Sequence, residues 1–191
     1  MIIPMPAHQE IGHVTRRYEL HIHKFAKSLP TASFDVDYIK FSQLCRDGCR
    51  NYGLKYSCPP FSPAFTDFLT AASEALVICY KIDLSQFGPI ALYSRIRAAN
   101  SILKSMLDRE LTYFKMRGFK VAGSGSCRAC RVCGAKMGAA CKKPDRRTYS
   151  LEALGADVAS LVARLFGFQS EWYLPDRGRP EYTCTVGAVF C

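Results

Sequence analysis

The sequence predicts an α/β fold: a single domain with a small mixed sheet, a parallel strand-helix-strand unit and two cysteine-rich metal-binding loops. Three observations predict it. Helical apolar spacing runs from Pro89 to Arg117, short apolar runs at 75–82 and 119–122 flank it, and cysteines gather in two stretches, 45–58 and 127–141. With 191 residues and 49% apolar content, the chain is long enough to fill one core.

The N-terminal third carries mixed patterns, so residues 1–30 are left as an N-terminal segment without an assigned structure, and 31–191 form the α/β domain. Within this third, Arg16 to Ser28 reads as a helix and Phe34 to Phe41 as a strand. Across 61–75, Ser62 offers an N-cap and Pro63 a first helical position. Phe65, Phe68, Leu69 and Ala72 then share one face of a short amphipathic helix.

The run "ALVICYKI", 75–82, is rich in β-branched residues and reads as a buried strand. Cys79 inside it suits a small core hydrophobe. Next, Leu92, Ile96, Ala99, Leu103, Leu107, Leu111 and Phe114 recur at steps of three and four, and Gly118 stops the helix they define. Phe119 to Ala122 makes the following strand, and the second cysteine stretch begins at its carboxyl end, where open α/β sheets place ligands. Ser150 caps a further helix through about Phe166 on the face of Leu151, Leu154, Val158, Leu161, Val162 and Leu165, and Gly167 ends it. Strands near Glu171 to Leu174 and Tyr182 to Phe190 finish the chain.

Residues 1–13 lack a basic start, a continuous apolar stretch and a small-residue cleavage site, and no apolar run is long enough to span a bilayer. A cytoplasmic protein without a membrane is expected. In that reducing setting the 10 cysteines read as metal or redox ligands rather than disulfides. The net charge of +10 suits an acidic redox partner or a small anionic substrate. Nucleic acid is disfavoured, because Lys and Arg are scattered and no recognition motif emerges.

In "GSCRACRVCGAKMGAAC", Cys127, Cys130 and Cys133 follow one another at two-residue gaps, with Cys141 seven residues beyond. Such gaps let one loop wrap three corners of a cube, as ferredoxin loops do around [4Fe-4S] clusters. Ferredoxins place the fourth cysteine after three residues, where this chain has Met137. Cys141 therefore closes this site from a longer loop or serves the other one. Zinc is the competing metal, although its sites usually pair two ligands at one knuckle with two much further on. Gly123, Gly125, Gly134 and Gly138 let backbone N–H groups turn toward sulfur. Lys142, Lys143, Arg146 and Arg147 follow as a docking surface for an acidic donor or an anionic substrate.

In "CRDGCRNYGLKYSCPP", Cys45, Cys49 and Cys58 surround a reversal at Gly53, and Pro59 follows Cys58 directly. Three thiols and a turn make half a cage. The chain here resembles a family of predicted metal-binding proteins of unknown function. The resemblance rests on "CRDGCRNYGLKYSCPPFSP" (Cys45 to Pro63), "GSCRACRVC" with Cys141, and "RRTYSLEALGADV" (Arg146 to Val158). It implies metal binding through both cysteine groups and no particular reaction.

Cys184 and Cys191 stand an odd number of residues apart, so a continuous strand points them to opposite faces and they do not pair; either alone is a candidate to complete a site. His21 and His23 read as surface or core histidines.

Three functions follow. The first is electron transfer through one or two [4Fe-4S] clusters on Cys45, Cys49, Cys58, Cys127, Cys130, Cys133 and Cys141. The second is an enzyme in which the three-cysteine cluster leaves an iron open to a small substrate, with Tyr52, Lys55 and Tyr56 as acid-base or orienting groups. The third, a zinc-stabilised nucleic-acid-binding module, ranks last.

Overall fold

The computed structural model describes residues 6–171, 173 and 178–191. Its one sheet is built from β1 (His8–Val14), β2 (Glu19–Pro30), β3 (Glu74–Asp83), β4 (Lys120–Gly123), β5 (Tyr149–Ser150) and β6 (Tyr182–Phe190). In space these run β1-β2-β3-β6-β4-β5, and all neighbours are antiparallel except β4 with β5. The helices are α1 (Tyr38–Gly48), α2 (Phe65–Leu69), α3 (Leu92–Lys115) and α4 (Val158–Phe166). The predicted class, a single mixed α/β domain, holds. Among the described residues no helix is long and apolar enough to cross a membrane.

The sheet is covered on both faces. Against one lies α3, whose Ala99, Leu103, Leu107, Leu111 and Phe114 pack on Leu20, Ile22, Ile78 and Ile82. Against the other lie α2 and α4, where Phe65, Leu161 and Val162 meet Val77, Cys79, Val186 and Phe190. A central strand buried on both faces explains why the run 75–82 is apolar throughout rather than alternating.

The predicted crossover is present in a split form. β3 and β4 both pair antiparallel with β6, so they run parallel to each other with the C-terminal strand inserted between them, and α3 makes the crossover. Gly187 of β6 permits this packing: a β-carbon there would stand 2.8 Å from the Ala122 carbonyl oxygen.

Five local expectations are corrected. Arg16 to Ser28 is mostly strand, because Leu20, Ile22, Lys24 and Ala26 alternate inward at period two, with a buried lysine disguising the pattern. Phe34 to Phe41 is not a strand: Asp37 accepts a bond from the Lys40 amide and caps α1, a helix with no buried residue and hence no apolar stripe to read. The helix expected across 61–75 contracts to α2, and Ser62 does not cap it, since its hydroxyl donates to the Ala153 carbonyl at 2.6 Å. Ser150 begins a short 3-10 turn at Glu152–Leu154, which Gly155 ends at φ +95°, and Asp157 caps α4 instead. Glu171 and Tyr173 lie outside any strand, and the rest of the expected strand at 171–174 falls outside the described residues.

Candidate metal centre

Two clamps position the first cysteine loop. Gly155 lies against Tyr38 at the start of α1, where a β-carbon would stand 2.7 Å from the Tyr38 α-carbon. The Tyr38 hydroxyl donates to the Ser62 carbonyl at 2.7 Å, tying the far end of the loop to the same helix. Between these points Cys45 occupies the last turn of α1, and Cys49 caps it by donating its amide to the Cys45 carbonyl. The i,i+4 relation puts both thiols on one side of the helix. Gly53 takes φ +65° at the reversal, and its amide meets the Pro59 carbonyl at 2.9 Å, which returns Cys58 toward α1.

The thiols of this group feel one another. Burial raises Cys45 above its ordinary value, and the neighbouring Cys49, Cys58 and Glu152 raise it further. Burial likewise raises Cys58; the Ser57 hydroxyl and Lys55 partly offset this, while Cys49 and Cys133 add to it. Cys133 belongs to the second group, so the two groups are adjacent.

That second group fills the loop after β4. Cys127, Cys130, Cys133 and Cys141 line one small cavity of about 20 Å3, together with Lys55, Tyr56, Lys143 and Arg147. The chain gets back to Cys141 by a 3-10 turn at Gly134–Met137, with Gly138 left-handed at φ +63°. The returning backbone crosses Gly134 itself, where a β-carbon would stand 2.5 Å from the Ala139 carbonyl oxygen. The seven-residue gap thus acts as a hairpin that brings the fourth thiol back. Cys127 and Cys141 also both act on Tyr149, which burial raises first and these two thiols raise further.

The first loop holds the second. Lys55 Nζ donates to Ser126 Oγ at 2.9 Å and to the Cys127 carbonyl at 3.2 Å. The Tyr56 hydroxyl donates to the Ala139 carbonyl at 2.9 Å. Ser57, only 1% exposed, accepts the Cys127 amide at 3.0 Å. Two of the three acid-base candidates are therefore committed to holding the loops together. The Tyr52 hydroxyl has no hydrogen-bond partner among the described residues.

The donor set fits a cluster by its chemistry: four thiols around one cavity, none cross-linked. A space of this size holds roughly one water, so seating a cluster requires the loop to open. Among the described residues, none from Ser124 to Val132 donates a backbone-to-backbone hydrogen bond; the Cys127 amide is held by Ser57, the Ala129 amide already donates to Cys127 Sγ at 3.4 Å, and the other amides are left to turn toward sulfur. Among the described residues, no three His, Cys, Asp or Glu side chains are closed around a single point.

The remaining cysteines lie elsewhere. Cys79 is fully buried in β3, as expected of a core residue, with Cys184 beside it. Cys191 donates to the Glu74 carbonyl at 3.7 Å. His21 pairs with Glu10 and His23 with His8 on the exposed β1-β2 ribbon. Ser57 and Glu152 went unread in the sequence: one is a plain serine beside a cysteine, the other lies within an expected helix.

A search of curated proteins and one of solved structures returned no match to this chain. A family model described as "Predicted metal-binding protein (DUF2284)" matches residues 28–188, which take in both cysteine groups. With two adjacent thiol groups and a match over most of its length, the chain belongs to this family of predicted metal-binding proteins.

Proposed function

We propose that the chain is an iron-sulfur protein that passes electrons, with Cys127, Cys130, Cys133 and Cys141 holding a [4Fe-4S] cluster. One observation carries the reading: four thiols line a single cavity under a loop whose amides make no backbone hydrogen bond and of which one, Ala129, already donates to the Cys127 sulfur at 3.4 Å. When bound, such a cluster supplies a one-electron carrier. The chain's own residues supply the rest. Loop amides donate to sulfur, Lys55 sets a cation beside both thiol groups, and the exposed Lys142, Lys143 and Arg146 offer an acidic redox partner its docking surface.

A second reading is favoured at the other group. Cys45, Cys49 and Cys58 have no fourth cysteine of their own, because Cys133, which acts on Cys58, and Cys141 both line the neighbouring cavity, and Cys79, Cys184 and Cys191 lie elsewhere. That group holds a second cluster with one iron open to a small molecule, and Tyr52 is the side chain left free to orient it.

Anaerobic purification with iron and sulfide counting and EPR of the reduced protein tests both. About eight irons per chain are expected, falling to about four in Cys141→Ser. Added cyanide is expected to alter the EPR signal that survives in that variant. A colourless protein carrying only zinc overturns the proposal, and a Cys141→Ser protein with its full iron content overturns the assignment of the four ligands.

A further inference from the structure

A second cavity, about 550 Å3, opens where the sheet splits. β4 pairs with β6 only from Ala188 to Phe190, so from Tyr182 to Gly187 the β6 edge away from β3 has no strand partner among the described residues. Thr183, Cys184 and Thr185 all line the cavity, although successive strand side chains point to opposite faces. The cavity therefore wraps around the strand edge, where the outward amides and carbonyls of β6 beyond Tyr182 face it, the Tyr182 amide itself donating to the Glu171 carboxylate at 3.3 Å. Asn100 and Lys104 of α3 and Glu152 line its other walls, and Ser124 and Gly125 join it to the second cysteine loop.

Three features describe what fits there. The Thr185 hydroxyl is buried with no hydrogen-bond partner, on a residue only 6% exposed. A buried hydroxyl left unpaired is costly, and a ligand acceptor would satisfy it. Charge is poorly served. Lys104 is already bound to Asp108 at 3.1 Å and to the Ser124 carbonyl, while the described lining adds two carboxylates, Glu152 and Glu171. An anion finds no free cation among the described lining residues. Lastly, Cys184 and Ser170 both line the cavity, with the Cys184 sulfur 4.0 Å from Ser170 Oγ. Its thiol is held below its ordinary value, chiefly by the Cys79 thiol, against the opposing effect of burial.

We infer that this cavity binds a small uncharged molecule through a carbonyl oxygen that accepts from Thr185 and the free edge of β6, in contact with the Cys184 thiol. The inference uses none of the proposed metal ligands and stands apart from the iron-sulfur reading.

Iodoacetamide and iodoacetate are the probes, being nearly equal in size, one a neutral amide and the other an anion. The metal-loaded full chain is alkylated with each, Cys184 is followed by peptide mass spectrometry, and rates are divided by those of 2-mercaptoethanol. The net charge of +10 draws anions toward the protein, so a preference for the neutral reagent has to come from the cavity. The expected amide-over-acetate preference exceeds that of the free thiol by about tenfold or more, the factor of one hydrogen bond. Thr185→Val is expected to remove that excess without lowering the melting temperature, since the lost hydroxyl was unpaired. A preference equal to the free thiol's, or a Cys184 that reacts only after denaturation, overturns the inference.

Discussion

Gly134 and Ala140 are in backbone contact, and this crossing returns Cys141 to the cavity that Cys127, Cys130 and Cys133 line. A β-carbon at Gly134 would overlap two carbonyl oxygens that belong to the returning chain and cannot rotate away. Under the iron-sulfur proposal, Gly134→Ala is therefore expected to displace Cys141 and lose about half of the bound iron, with the far-ultraviolet circular dichroism unchanged. Gly138→Ala is the control. That residue is left-handed but has open space around its α-carbon, so the change costs roughly 1 kcal/mol of backbone strain and leaves iron in place. Equal iron in the two variants would contradict the crossing.

Gly155 plays the matching part for the first loop, and here both penalties apply. It sits at φ +95° and its α-carbon abuts Tyr38 at the head of α1. Gly155→Ala is expected to cost about 3 kcal/mol or more in urea denaturation, well above the 1 kcal/mol or so typical of point changes. Tyr38→Phe removes only the bond to the Ser62 carbonyl and is expected to cost about 1 kcal/mol. A Gly155→Ala protein as stable as Tyr38→Phe would mean that α1 is not clamped at this turn.

How much of this was legible follows from where the period was clean. α3 and β6 were read nearly to their ends, because Leu103, Leu107 and Leu111 keep helical spacing on one buried face and the run from Tyr182 to Phe190 is rich in β-branched and aromatic residues. β2 was misread because its inward positions include Lys24, which only a partner on α3 makes tolerable. α1 was misread because it buries nothing. At the site, the seven cysteines were visible as spacing. Their distribution into four and three was not, because it depends on the close approach at Gly134, and a single glycine in a loop carries no pattern.

Lys55 joins the two loops by donating to Ser126 and to the Cys127 carbonyl, and its cation also acts on Cys58. A nearby cation favours an added electron, so under the iron-sulfur proposal Lys55→Met is expected to make the reduction potential more negative. Tyr56→Phe, which loses an uncharged bond to the Ala139 carbonyl, is expected to shift it much less. Lys55→Arg keeps the charge and is expected to restore most of the loss. Redox titration followed by EPR reads all three, and equal shifts for Met and Arg would show that packing rather than charge is at work.

Beneath α3, the Lys24 ammonium and the Glu110 carboxylate meet at 2.6 Å with their side chains only 11% and 15% exposed. Removing one member strands the other charge, so Glu110→Ala is expected to cost about 3–5 kcal/mol in urea denaturation. Replacing both with Met leaves no stranded charge and is expected to cost less than that single change. A double variant weaker than Glu110→Ala would show that the pair itself, and not the burial of an unpaired charge, sets the energetics.

Tyr80 adds a pH dependence to the same group, since its hydroxyl donates to the other Glu110 oxygen. Burial raises the phenol well above its ordinary value, and the carboxylate beside it raises it further. The folded state thus keeps this proton at a pH where the unfolded chain, titrating near its ordinary value of about 10, releases it. Its contribution to stability is complete below that pH and declines as pH rises through and beyond it. Tyr80→Phe has no proton to lose, so its stability is expected to fall less steeply than the wild type's between about pH 8.5 and 11. All other titrating groups are shared by the two proteins, so the difference between the curves isolates Tyr80. Denaturation midpoints taken across that range check this, and parallel curves would mean that the phenol is not held neutral by the fold.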